Sequence, residues 1–106
     1  MTNRTAFLRK HGLSTDTSLS LHEIASYARM PVGALRKVYA KGLGAYHTNP
    51  ESVRLKGSFK KDPSAPLSQK LSPQQWGMAR VYAFVMKTKK VFHGADKHIA
   101  EEYHLT

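Results

Sequence analysis

The chain contains no cysteine, which excludes disulfides, thiol chemistry and cysteine-ligated zinc. Acidic residues are scarce: seven Asp and Glu stand against seventeen Lys and Arg, for a formal net charge of +10 on 106 residues. Long apolar runs are missing as well. The richest, Met78 to Met86, is interrupted by Arg80 and falls far short of the roughly 20 residues a helix needs to cross a bilayer. The first ten residues lack the apolar stretch and small-residue cleavage site of a secretory signal, so an intracellular location is expected. Gly42-Leu43-Gly44 lacks the third glycine and the preceding strand of a dinucleotide-binding loop, and no P-loop pattern occurs. Six histidines are present (His11, His22, His47, His93, His98, His104), none beside a recognisable nucleophile. His98 with Glu101 or Glu102 could share a helix face, yet the spacing of a zinc-binding helix is absent. Neither an enzyme nor a cofactor is therefore expected.

What the chain has is positive charge, and net charge speaks to partners rather than to fold. A magnitude of about 2 to 8 suffices to keep a small domain soluble, so +10 asks for a further reason. From Ile24 to Lys61 eight basic residues face a single acid, Glu51, whereas the last eleven residues hold Asp96, Glu101 and Glu102 against Lys97. A basic middle and a mildly acidic tail predict one positive face, suited to a polyanion such as nucleic acid.

With 106 residues the chain makes one domain, and its periodicity predicts a mainly α fold. A short helix from Arg4 to His11 is ended by Gly12. Ser20 with Glu23 forms a capping box that opens a second helix, on which Leu21, Ile24, Ala25 and Ala28 recur at helical spacing. That helix stops at Arg29-Met30, because Pro31 disfavours helical backbone in the residue before it. A third helix follows, carrying Ala34, Leu35, Val38 and Tyr39, with Gly42 and Gly44 expected to break it. Residues 47–72 show no clear period and hold three prolines. They predict an irregular basic segment, with weak strand-like alternation at Val53 to Lys60. Ser72-Pro73-Gln74-Gln75 opens a helix over 73–87 that is apolar on nearly every side and is expected to be buried. Val91-Phe92 reads as a brief extended piece, and Asp96 as the cap of a terminal helix over 96–104.

Residues 20–42 carry the best local motif. Ile24-Ala25, Ala28, Met30, Leu35 and Val38 fall at offsets that resemble the helix-turn-helix of bacterial and phage DNA-binding proteins, with Arg29 where that pattern has glycine. The resemblance places Val32, Gly33, Arg36, Lys37, Ala40 and Lys41 on the outward side of a second helix that enters the major groove. An ordinary helical hairpin with surface charges would show the same pattern. The nucleic-acid-binding candidates are Arg29, Arg36, Lys37 and Lys41 here, and Arg54, Lys56, Lys60 and Lys61 in the irregular segment, where lysines and arginines can neutralise phosphates. Few of the outward side chains can read a base edge, so phosphate contact is expected to dominate. Trp76 reads as core, given its place in an apolar helix.

A longer likeness runs through Met30-Pro31, Leu35 to Tyr39, Lys41 to Thr48, Gln74 to Phe84 and Ala95 to Lys97. These residues, about three quarters of the chain with the segment between, resemble a family of small viral proteins of unknown function from large DNA viruses of algae and protists and from some tailed phages. The resemblance implies a viral origin and a place in the infected cell or inside the virion. It supplies no activity. The expected role is a nucleic-acid-binding protein, DNA ahead of RNA, in regulation or genome packaging, with no membrane partner. The alternative is a minor structural component of a virion whose irregular segment contacts capsid proteins.

Overall fold

The computed structural model describes residues 2–48 and 72–105. Among them the chain is mainly α and contains no strand: α1 (Asn3–Lys10), α2 (Leu21–Ala28), α3 (Val32–Thr48), α4 (Pro73–Val85), a π-helical turn (Val91–Ala95) and α5 (Lys97–Glu102). The strand-like alternation at 53–60 lies outside the described residues.

Local chemistry sets the helix starts. Ser20 accepts from the Glu23 amide while the Glu23 carboxylate accepts from the Ser20 amide, at 3.2 and 3.0 Å. Ser72 and Gln75 repeat the arrangement at the head of α4, with Pro73 in the first turn. Each box satisfies backbone donors that a helix start leaves orphaned. Gly12, at φ 70°, ends α1 as expected.

Helices of eight residues do not persist alone in water; here they are held by a shared core. Phe7 and Leu8 from α1, Ile24 from α2, Leu35 and Val38 from α3, Val81 and Phe84 from α4, then Phe92 and Ile99, are all essentially inaccessible to solvent. Burying one such side chain stabilises by about 1.5–3 kcal/mol. The terminal half of α4, Val81 to Val85, is buried on all sides, but Trp76, Met78, Ala79 and Arg80 in its first half are only partly covered. The expectation of a wholly buried helix thus holds for one half.

The largest helix contact is between α3 and α4, and it corrects the expectation that Gly42 and Gly44 end α3. The helix runs on to Thr48. Gly42 is buried at the crossing, where a Cβ would lie 2.9 Å from the Cα of Gly77. A Cβ on Gly77 would lie 2.8 Å from two ring carbons of Tyr39. The glycine is there for close backbone approach, and packing outweighs the roughly 1 kcal/mol by which it weakens a helix.

Two further expectations change. Val91-Phe92 is not extended: the amides of His93, Ala95 and Asp96 donate to carbonyls five residues back, at 2.8–3.1 Å. Asp96 begins α5, but its side chain makes no capping bond. It is fully buried and turns to Arg80 and Lys41 instead.

Candidate nucleic-acid interface

α2 and α3 are joined by a three-residue turn whose geometry follows from how α2 ends. The Met30 amide donates to the Ala25 carbonyl at 3.0 Å and the Arg29 amide to that of Ser26 at 3.3 Å, the bond pattern of a Schellman motif. This closure needs one residue in the left-handed region, and Arg29 takes it at φ 56°, ψ 43°. A side chain there is strained by roughly 1–2 kcal/mol relative to glycine. Met30 is buried and anchors the turn in the core, while Arg29 is left exposed.

The eight candidate cations have three fates. Arg54, Lys56, Lys60 and Lys61 lie outside the described residues. Arg29 and Arg36 are exposed; Arg29 has no ion pair among the described residues, and Arg36 donates from Nη2 to His22 Nε2 at 3.0 Å. Lys37 and Lys41 are held by carboxylates of the same chain. Lys37 Nζ donates to Glu102 Oε1 at 2.6 Å, a hydrogen bond that raises its pKa, and sits 5.4 Å from the centre of the Tyr103 ring. Lys41 Nζ lies 3.0 Å from Asp96 Oδ1 and donates to the Ala95 carbonyl at 2.9 Å.

One cause accounts for both pairs. Residues 33, 37 and 41 share a stripe of α3 at i, i+4 spacing, and the C-terminal segment packs along it. A Cβ on Gly33 would lie 3.0 Å from the Tyr103 hydroxyl. The C-terminal segment therefore leaves Val32, Gly33 and Lys41 half-buried, while Arg36, Ala40 and the ion-paired Lys37 stay exposed on α3, with Arg29 in the turn and His22 and Ser26 on α2. The positive face is narrower than the charge count suggests.

Sequence reasoning overlooked the cations beyond α4. Lys89 and Lys90 are exposed and carry no ion pair among the described residues, and the same holds for Arg9 and Lys10 at the end of α1. The two lysines border a cleft of about 610 Å³ whose walls also include Asn3, Trp76, Arg80 and Thr88. Trp76 is not central core: it is partly buried in a satellite cluster with Tyr46 and Ala79. Its indole N–H and the Thr88 hydroxyl are buried without a hydrogen-bond partner, each costing about 1–3 kcal/mol in desolvation. A serial basic run, Lys87 to Lys90, was the only signal in the sequence. It reads equally well as favourable charge at a helix C-terminus.

Among the described residues no three His, Cys, Asp or Glu side chains gather as metal ligands, and no helix is long and apolar enough to cross a membrane. No curated protein and no solved structure matches the chain. One family model does, over residues 3–100, which takes in every helix through the first turn of α5. The chain belongs to that family, the family of unknown function DUF5824.

Proposed function

We propose that the chain binds nucleic acid, duplex DNA before RNA, chiefly through its phosphates. The α2–α3 pair serves as the helix-turn-helix and the basic residues of the middle segment add phosphate contacts. The observation that carries this is Arg29: a cation placed at the strained, exposed apex of the turn, where backbone geometry favours glycine. Arg36 is likewise exposed, on α3. A cation in that location is open to a polyanion, in addition to any favourable interaction with the C-terminus of α2. The net charge of +10 supports long-range attraction to the same partner. Likeness to proteins of large DNA viruses supports a viral source and action within the infected cell, on the genome or in its packaging. No catalytic group is called for.

The test is fluorescence anisotropy of labelled duplex, single-stranded DNA and RNA with the purified chain at two salt concentrations. Binding should weaken with salt at a slope of about −0.9 per phosphate contact for duplex, and Arg29→Glu with Arg36→Glu should weaken it further. Absence of binding to all three at low salt would overturn the proposal. Retention with capsid proteins after nuclease and high salt, without free DNA binding, would point to a structural virion component instead.

A further inference from the structure

The cleft beyond α4 has a chemistry of its own. Among the described residues its cationic members are Arg80, Lys89 and Lys90, and no Asp or Glu lines it. Arg80 is committed to Asp96, but the two lysines carry no ion pair among the described residues. The wall also includes small apolar side chains, Ala79, Ala83, Val91 and Ala95. Trp76 and Thr88 border the cleft, and their indole N–H and hydroxyl are buried with no hydrogen-bond partner among the described residues. Asn3 adds an amide that can both donate and accept. A ligand matching this inventory needs a flat, largely apolar body, acceptor atoms and negative charge. The volume, about 610 Å³, falls in the range of small-molecule sites.

We propose that this cleft binds a phosphorylated nucleoside, with Lys89 and Lys90 on the phosphate, the base against the alanine wall and Trp76, and Thr88 and the indole N–H supplying hydrogen bonds. A free nucleotide and the 5′-phosphorylated end of a strand share this chemistry. Lys41 ties the cleft to the helix pair, since its ammonium donates to the carbonyl of Ala95, a wall residue. The residues that bind here are nevertheless different from Arg29 and Arg36, so the two proposals can fail separately.

Trp76 is the sole tryptophan, and its emission reports on the cleft. The full chain is titrated with ADP, adenosine and inorganic phosphate, and with one short oligonucleotide carrying or lacking a 5′-phosphate. Equilibrium dialysis of labelled ADP serves as a second readout. Saturable binding of ADP or of the 5′-phosphorylated strand, each tighter than its unphosphorylated counterpart, is expected. Which of the two binds identifies the source of the ligand. Lys89→Glu with Lys90→Glu should weaken binding about tenfold or more, through the loss of charge-assisted hydrogen bonds. Ala79→Leu, which narrows the cleft, should weaken it while circular dichroism stays unchanged. Arg29→Glu with Arg36→Glu should leave ADP binding intact even where duplex binding is lost. The proposal is overturned if neither ADP nor the phosphorylated strand binds by either readout at about 1 mM. It is equally overturned if adenosine or inorganic phosphate alone binds as well as ADP, or if the lysine variants bind as tightly as the parent.

Discussion

Arg80 holds Asp96 with two parallel hydrogen bonds, Nε to Oδ2 at 3.0 Å and Nη2 to Oδ1 at 3.2 Å. The fork geometry of guanidinium and carboxylate makes this the strong form of ion pair. Asp96 is wholly buried, Arg80 is 14% exposed, and Lys41 closes the group from α3. α4, α3 and the entry to α5 thus meet on a single carboxylate.

Removing that charge strands two cations. Asp96→Asn is expected to destabilise the fold by about 3 kcal/mol, as breaking one partner of a buried pair does. Lys41→Met, at a half-exposed member, should cost no more than about 1 kcal/mol, in the manner of surface pairs. Urea unfolding followed by circular dichroism distinguishes the two; equal losses would mean that Asp96 is not the keystone.

Arg29→Gly should separate stability from binding. Relief of the left-handed strain is expected to raise stability by about 1 kcal/mol. Loss of one phosphate contact should weaken duplex binding and reduce the salt slope by about 0.9. A variant that became less stable would refute the strain; one that bound DNA as tightly as the parent would remove Arg29 from the interface.

Gly42→Ala and Gly44→Ala test the helix crossing two residues apart. The first forces a methyl against the backbone of Gly77 and should destabilise by about 1–3 kcal/mol. A Cβ on the second meets nothing within 4 Å among the described residues and should stabilise by up to about 1 kcal/mol through helix propensity. Thermal unfolding of the pair gives opposite signs if the crossing is as described.

Tyr82 sets a pH dependence at the alkaline end. Burial pushes its phenol above the usual value of 10.0, and the nearby charge of Arg4 opposes this only in part. Arg4 places its own bonds on the carbonyls of Thr15 and Thr17, and the Tyr82 hydroxyl has no partner of good geometry. A folded-state pKa above the unfolded one means that the unfolded chain loses its proton first. Stability is therefore undiminished by this group below about pH 10 and falls as the pH rises beyond it. Tyr82→Phe should flatten that decline in urea titrations, with little change at pH 7, because the hydroxyl it removes is unsatisfied.

Features decided within a few residues were legible in the sequence. Both capping boxes, the proline at the head of α4 and the end of α1 at Gly12 require only neighbours in the chain. Features decided across the fold were not. Gly42 looks like a breaker until Gly77 is placed against it. An aspartate before a helix reads as a cap, and nothing local shows that Arg80, sixteen residues earlier, will claim Asp96. The start of α2 at Ser20 and the turn at Arg29 to Pro31 were legible, but the end of α3 at Thr48 and the ion pairs of Lys37 and Lys41 were not. The partner of Lys37 lies 65 residues downstream, and charge counting takes no account of such distances. The cleft beside Trp76 was missed because its walls are assembled from α1, α4 and the π-helical turn.

The contact of Gly42 with Gly77 has a further consequence. Two helices touching backbone to backbone have no intervening layer of side chains on which to slide or roll. α3 and α4 are thus braced as one beam, and the separation between Arg36 on one and the lysines beyond the other is set when the chain folds. A partner spanning both meets a ready-made spacing and bears none of the entropy of creating it.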